Sequence, residues 1–260
     1  MQIFCIGDVV GSRGCNFLRR HLPALRRTKG IDVVIANGEN SSDGNGITPA
    51  SAGHLFDSGV DVITTGNHTY RRREVYDYLD ETDAIVRPAN FPPDAPGHGL
   101  TVLDLGRTRV AVINLMGAVY LDEHLACPFR TLDALLKTPD LPKICLVDFH
   151  AEATGEKRAF GYYADGRVSA VFGTHTHVQT ADETVLPHGT GYITDAGMTG
   201  PIESVLGVKP ELVIKKQLSK MPVRFDFADG DCKMDGVLFD IDEKNRALPQ
   251  RRAAFDPLTG

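Results

Sequence analysis

The chain opens on a continuous apolar run, Gln2-Ile3-Phe4-Cys5-Ile6, that stops at Gly7-Asp8. A run without polar alternation reads as a strand covered on both faces. Beyond a loop from Val9 to Gly14, Phe17, Leu18, Leu22 and Leu25 recur at helical spacing among Arg19, Arg20, Arg26 and Arg27, which predicts an amphipathic helix. The unit then repeats. Ile31 to Ala36 is a second buried strand, followed by a polar loop from Asn37 to Ile47. Thr48-Pro49 has the form of a helix start, with Thr as N-cap and Pro at the first helical position, leading into Ala52, Leu55 and Phe56 and ending at Gly59. Val60 to Ile63 makes a third strand, closed by Thr64-Thr65-Gly66-Asn67-His68 and followed by a helix from Arg71 to Leu79. Strand and helix in strict alternation predict a largely parallel sheet.

The rhythm then loosens. Pro88, Pro92, Pro93 and Pro96 with Gly97 and Gly99 mark a loop, after which Leu100 to Leu105 and Val110 to Leu115 resemble a hairpin turned at Gly106-Arg107-Thr108. Helices are expected over about Phe129 to Leu136, Thr154 to Tyr163 and Pro210 to Leu218, and strands over Ile144 to Val147, Val168 to Phe172 and Gly191 to Thr194. Val223 to Phe227 and Val237 to Ile241 predict a terminal antiparallel pair. With no long linker or low-complexity tract, residues 1–260 read as a single α/β domain.

Composition narrows the partners. With 28 basic and 34 acidic side chains, a net charge of −6 leaves no broad basic surface for duplex nucleic acid, while a small anionic substrate held through a metal stays open. The five cysteines have no C-x-x-C spacing and read as reduced thiols. Met1 to Ile6 lacks the form of a signal peptide, and no apolar stretch reaches membrane-spanning length, so a soluble, cytoplasmic protein without a membrane partner is expected.

The chemistry lies where the apolar runs end. Five of them finish in metal-competent side chains: Asp8; Glu39; Asn67 with His68; His150; and His175 with His177. In open α/β sheets the carboxyl ends of the strands share one rim, so residues distant in sequence can converge there. Singly, each has a local reading: Asp8 as a helix cap, Glu39 and Asn40 as turn residues, Asn67 as a left-handed or capping residue, His150 as a buried hydrogen-bonding histidine. Together, ionisable groups gathered at a strand rim point to a site. Carboxylate, amide and imidazole without thiolate suit Fe, Mn, Zn or Co better than a structural zinc. Five or six such ligands exceed the needs of one ion, whereas two ions about 3.5 to 4 Å apart would use them all, a clamp suited to in-line displacement at phosphorus.

Gly7-Asp8, Gly38-Glu39-Asn40, Gly66-Asn67-His68, His150 and Gly173-Thr174-His175-Thr176-His177 resemble, in order, the motif blocks of the calcineurin-like metallophosphoesterases. The resemblance is closer to the YmdB-like subgroup, through Gly7-Asp8-Val9-Val10-Gly11, Asn37-Gly38-Glu39-Asn40, Asp148-Phe149-His150-Ala151-Glu152 and Thr194-Asp195-Ala196-Gly197-Met198-Thr199-Gly200-Pro201. It implies a sandwich of two sheets flanked by helices, four layers deep. It also implies a dinuclear centre of divalent or trivalent ions, Fe or Mn with Zn as a further choice. The implied activity is hydrolysis of small phosphodiesters such as 2′,3′-cyclic nucleotides by a metal-bridging hydroxide. On the same resemblance Asp8 and His177 hold the first ion, Asn67, His150 and His175 the second, and Glu39 bridges. His68 protonates or stabilises the leaving oxygen, and Asn40 helps position the phosphate. Two departures from the broad family stand out: Val10 replaces the histidine of an Asp-x-His block, and Glu39 replaces the usual aspartate.

Three functions follow as expectations. The first is a phosphodiesterase acting on a small nucleotide substrate or on RNA ends, alone or as a homo-oligomer. The second is a phosphomonoesterase or protein phosphatase, and the third a metal-binding regulatory protein without turnover. Arg13, in the first loop, is open to two readings, a phosphate contact or a solvated charge.

Overall fold

In the computed structural model of the protein, which describes residues 1–242, 244, 246–247 and the backbone of 251–255, the apolar run at the start forms β1 (Gln2–Val9). It leads directly into α1 (Gly11–Lys29). There follow β2 (Val33–Asn37), α2 (Pro49–Asp57), β3 (Val62–Thr64), α3 (Tyr76–Glu81) and β4 (Ile85–Val86). The hairpin is β5 (Leu100–Asp104) and β6 (Arg109–Met116). Then come α4 (Pro128–Leu135), β7 (Ile144–His150), α5 (Thr154–Ala164), β8 (Ala170–Thr174), β9 (Thr184–Val185) and β10 (Gly191–Ile193). The chain continues through β11 (Met198–Pro201), α6 (Pro210–Ser219), β12 (Cys232–Asp240) and β13 (Arg251–Phe255).

Two mixed sheets result. The first has the order β13-β12-β11-β1-β2-β3-β4, and the second β5-β6-β7-β8-β10-β9. In the first, β11, β1, β2, β3 and β4 run parallel, as the repeated strand–helix rhythm predicts. In the second, β6, β7, β8 and β10 are parallel, and β5 and β9 pair antiparallel at its edges. Alternation along β1 shows why its run is unbroken. Phe4 and Ile6 face Leu18 and Leu22 of α1, while Ile3 and Cys5 face Val112, Leu146 and Phe172 of the other sheet. Leu132 of α4 and Phe160 of α5 close the far side of the second sheet over Ile113 and Val147. Helices, sheet, sheet and helices thus stack in four layers, the calcineurin-like sandwich that the motif blocks imply. Among the described residues no helix is long and apolar enough to cross a membrane.

Local chemistry explains both the agreements and the departures. The Thr48 side chain accepts from Ser51 N–H and Pro49 occupies the first turn, the capping arrangement that the sequence predicts. The expected loop from Val9 to Gly14 is instead mostly helix. Gly11 N–H reaches Asn40 O at 2.8 Å and Ser12 N–H reaches Asp43 Oδ1 at 2.9 Å, so partners from another loop satisfy the first amides of α1. The helix expected from Arg71 starts late, as a 3-10 turn over Arg73–Val75. Arg72 is held extended while its guanidinium donates to Asn45 O and Asp43 O, at 2.9 and 2.6 Å.

Val223 to Phe227 is not a strand. Only Phe227 makes an isolated bridge, to Val208, and β12 spends its pairing on β1, β11 and β13. Met198–Pro201, for which the sequence pattern predicts no strand, pairs between β1 and β12.

Candidate metal centre

The donors gather at the carboxyl rim of both sheets. Asp8 comes from β1, Glu39 and Asn40 from the loop after β2, and Asn67 and His68 from the loop after β3. The second sheet supplies His150, the last residue of β7, and His175 and His177 just past β8. All eight residues named from the sequence fall in one connected patch.

Its densest part surrounds His150 Nε2, which lies 2.9 Å from Asn67 Oδ1, 3.1 Å from His175 Nδ1 and 3.3 Å from Glu39 Oε1. Ligand atoms of Glu39, His150 and His175 all lie within 4.8 Å of one another. A second grouping adjoins it. His177 Nε2 is 3.5 Å from Asp8 Oδ1 and 3.3 Å from Asn40 Nδ2. Asn40 ties the groupings together, its Nδ2 donating to Glu39 Oε1 at 3.2 Å while its Oδ1 meets His68 Nδ1 at 2.9 Å. Glu39 Oε2 in turn accepts from the His68 backbone N–H at 2.9 Å.

Close backbone approach makes this possible. A Cβ on Gly66 would lie 2.2 Å from His150 Nε2, and one on Gly173 would lie 1.8 Å from Thr194 O. Any side chain at either position would displace the imidazole or the strand that carries its neighbours. His175 and His177 both have positive φ, 97° and 62°, a conformation costly for a non-glycine residue and found where a site over-determines its backbone.

Outer partners orient the rings. His150 Nδ1 meets Thr174 Oγ1 at 2.9 Å, and Thr174 donates to Asp148 Oδ1 at 2.7 Å. His177 Nδ1 points to Leu206 O at 3.2 Å, and His175 Nε2 to Glu152 Oε2 at 3.1 Å. Each imidazole therefore has one nitrogen fixed from behind and the other aimed at the cluster, the arrangement that ligating histidines adopt.

Asp148, Glu152 and Thr174 carry these supports, yet sequence reading assigned them no role. Their signals were membership of the motif blocks and nearness in sequence to His150 and His175. Asp148 is buried with Thr64, Thr174 and Asn37 donating to it, and burial pushes its carboxyl up to about 7 against the pull of His150 and these donors. Arg13 is half-exposed and paired with Asp229 at 2.5 Å, which settles it as a surface ion pair.

The donor set fits metal. Asp8 is fully buried, and its Oδ1 makes no hydrogen bond, an orphaned acceptor facing an imidazole nitrogen. Burial opposes charge on Glu39, but His150 and His68 hold its carboxyl well below the usual range. His150 is pulled down by burial and pushed up further by Glu39, to about 9, while burial and His150 push His175 down to about 3. In the metal-free protein His150 is thus protonated at neutral pH and must release that proton to ligate. The affinity for divalent metal, measured by chelator competition, is expected to rise about tenfold per pH unit between pH 6 and 8. Affinity independent of pH across that window would contradict the assignment.

Known proteins resemble this chain over nearly its whole length. The profile of the family described as YmdB-like protein matches residues 4–252. A Bacillus subtilis (strain 168) protein named 2′,3′-cyclic-nucleotide 2′-phosphodiesterase is 46% identical over 251 residues, 95% of this chain and 93% of its own length. Among solved structures, a hypothetical protein from Thermus thermophilus superposes with a TM-score of 0.93 at 40% identity, covering 98% of this chain and 99% of the other. A structure described as a novel phosphatase from Mycoplasma pneumoniae gives 0.92 at 33% identity, covering 99% and 95%.

Proposed function

The chain belongs to the YmdB-like family of calcineurin-like metallophosphoesterases, and from that premise we propose that it hydrolyses small phosphodiesters of the 2′,3′-cyclic nucleotide type. The observation that carries the reading is the meeting of acid, amide and imidazole donors from two sheets around His150 Nε2, with the unsatisfied Asp8 Oδ1 and His177 adjoining them. Asp8 and His177 would hold one ion, Asn67, His150 and His175 the other, with Glu39 between them. Iron or manganese suits this oxygen and nitrogen set, and zinc is compatible with it. Such ions lower the pKa of the attacking water and neutralise charge on the phosphoryl oxygens.

The protein's own residues do the rest. The cavity over the cluster, of about 280 Å³, is lined by Glu39, Asn40, His68, Glu152, His175 and His177 among others. His68 Nδ1 donates to Asn40 Oδ1, so a proton for substrate is carried on Nε2 only by the imidazolium form, both ring nitrogens then bearing hydrogen. As water attacks phosphorus, one P–O bond to ribose breaks and His68 Nε2 hands its proton to the departing oxygen. Asn40, braced against Glu39 and His177, fixes both the ring of His68 and the phosphate beside it.

The test uses protein purified without chelator, its metal content measured, then offered adenosine 2′,3′-cyclic phosphate, an aryl phosphomonoester and a phosphoserine peptide. Preferential diester hydrolysis is expected; preference for either monoester, or no turnover with metal bound, overturns the reading. In the same assay His68→Ala is expected to lower kcat about 10²- to 10⁴-fold with metal content unchanged. An unaltered kcat removes His68 from the mechanism.

A further inference from the structure

A second cavity, of about 570 Å³, opens beside the one over the metal cluster, and the two share Val10, Asn45, Val208 and Phe227 as a common wall. The larger one is built by the segment that the sequence predicts as a strand. Leaving the sheet, it is held to the neighbouring loop by Lys209 N–H to Asp226 O at 3.0 Å and Ala228 N–H to Gly207 O at 2.8 Å. This presents Arg224, Phe225 and Phe227 to the cavity. The Phe225 ring is 40% exposed, with Lys216 Nζ 5.0 Å from its centroid. Arg224 makes no ion pair among the described residues, whereas Arg13 on the same wall is engaged by Asp229. Two aromatic rings and a free guanidinium next to a phosphoester site form the surface on which a nucleobase stacks.

We propose that this second cavity seats the base of a nucleotide substrate, with Phe225 and Arg224 as its specificity-determining residues; the inference rests on the phosphodiesterase reading above. The cyclic phosphate and ribose occupy the smaller cavity over the donors, and the base crosses the shared wall at Phe227. A volume of about 570 Å³ lies within the usual range for small-ligand sites. The substrate class that follows is a nucleoside phosphodiester, distinguished from other small diesters by its planar base.

The experiment pairs two substrates and two probes on the metal-loaded protein. Adenosine 2′,3′-cyclic phosphate is compared with methyl ribofuranoside 2′,3′-cyclic phosphate, which has no base. Binding of adenosine 3′-monophosphate is compared with that of methyl ribofuranoside 3′-phosphate by calorimetry. The protein is expected to favour the base-bearing member of each pair by about 5- to 150-fold, the range for one stacked base. Phe225→Ala should erase most of that preference, and Arg224→Ala should reduce it, in binding as well as in kcat/KM. Hydrolysis of both esters at equal rates, or a preference that survives both substitutions, overturns the base site and leaves the phosphodiesterase reading standing. Hydrolysis of neither ester overturns that reading, while the calorimetric pair still decides the cavity.

Discussion

Glu39→Gln is expected to lower kcat/KM on a phosphodiester by on the order of a thousandfold or more, beyond the 10- to 100-fold typical of outer-shell changes at metal sites. Glu39 is buried, and its two oxygens serve different neighbours. Oε1 faces His150 and His68, each at 3.3 Å, and accepts from Asn40 Nδ2, while Oε2 takes the His68 backbone N–H. An amide would keep the volume but lose the negative charge and place an NH₂ against one of these groups. Metal content should fall with activity, because the carboxylate belongs to the Glu39, His150 and His175 cluster. Turnover unchanged with metal still bound would sink the assignment.

Asp195→Ala is expected to cost about 3–5 kcal/mol of stability, read from urea unfolding, the range for stranding one member of a buried ion pair. Lys157 and Asp195 are both inaccessible and meet at 2.7 Å. Lys157 Nζ also donates to Thr174 O at 2.6 Å, and Asp195 accepts the Thr176 and Gly197 amides at 3.1 and 2.9 Å. Truncation leaves an uncompensated ammonium beneath the two-histidine loop and frees the amide that pins Thr176 between two residues of positive φ. Metal affinity should therefore fall together with stability. Adding Lys157→Met should restore part of the loss, because the stranded charge goes while the two amides stay unpaired. A single-variant cost below about 1 kcal/mol would show that the pair is solvated.

The contrast between Lys157 and His175 shows what was legible in the sequence. His175 follows an apolar run that ends at glycine, and parallel strands bring such ends to one rim, so local pattern sufficed to expect it beside Asp8, 167 positions away. Lys157 sits on α5, where a lysine reads as a solvated surface charge. Its partner is 38 residues on, across a strand junction that no periodicity announces. The same holds for Asp148 and Glu152, whose work depends on which imidazole nitrogen they meet. Three parallel βα units could be read from spacing, but the division into two sheets came only through the motif resemblance, since a buried strand looks alike in either layer. Val223 to Phe227 misled because a stretch that alternates apolar and charged residues while lining a cavity has the pattern of a strand that pairs.

Because the donors come half from one sheet and half from the other, the span between facing donors is gauged by the thickness of the hydrophobic layer beneath them. Val62 and Phe172, packed in that layer, act as shims. Facing sheets stand about 10 Å apart, and a displacement of about 1 Å at reacting atoms costs on the order of a hundredfold in rate. The tolerance of the centre is therefore machined in the core, so that a methylene added or removed there would detune the chemistry before it unfolded the protein.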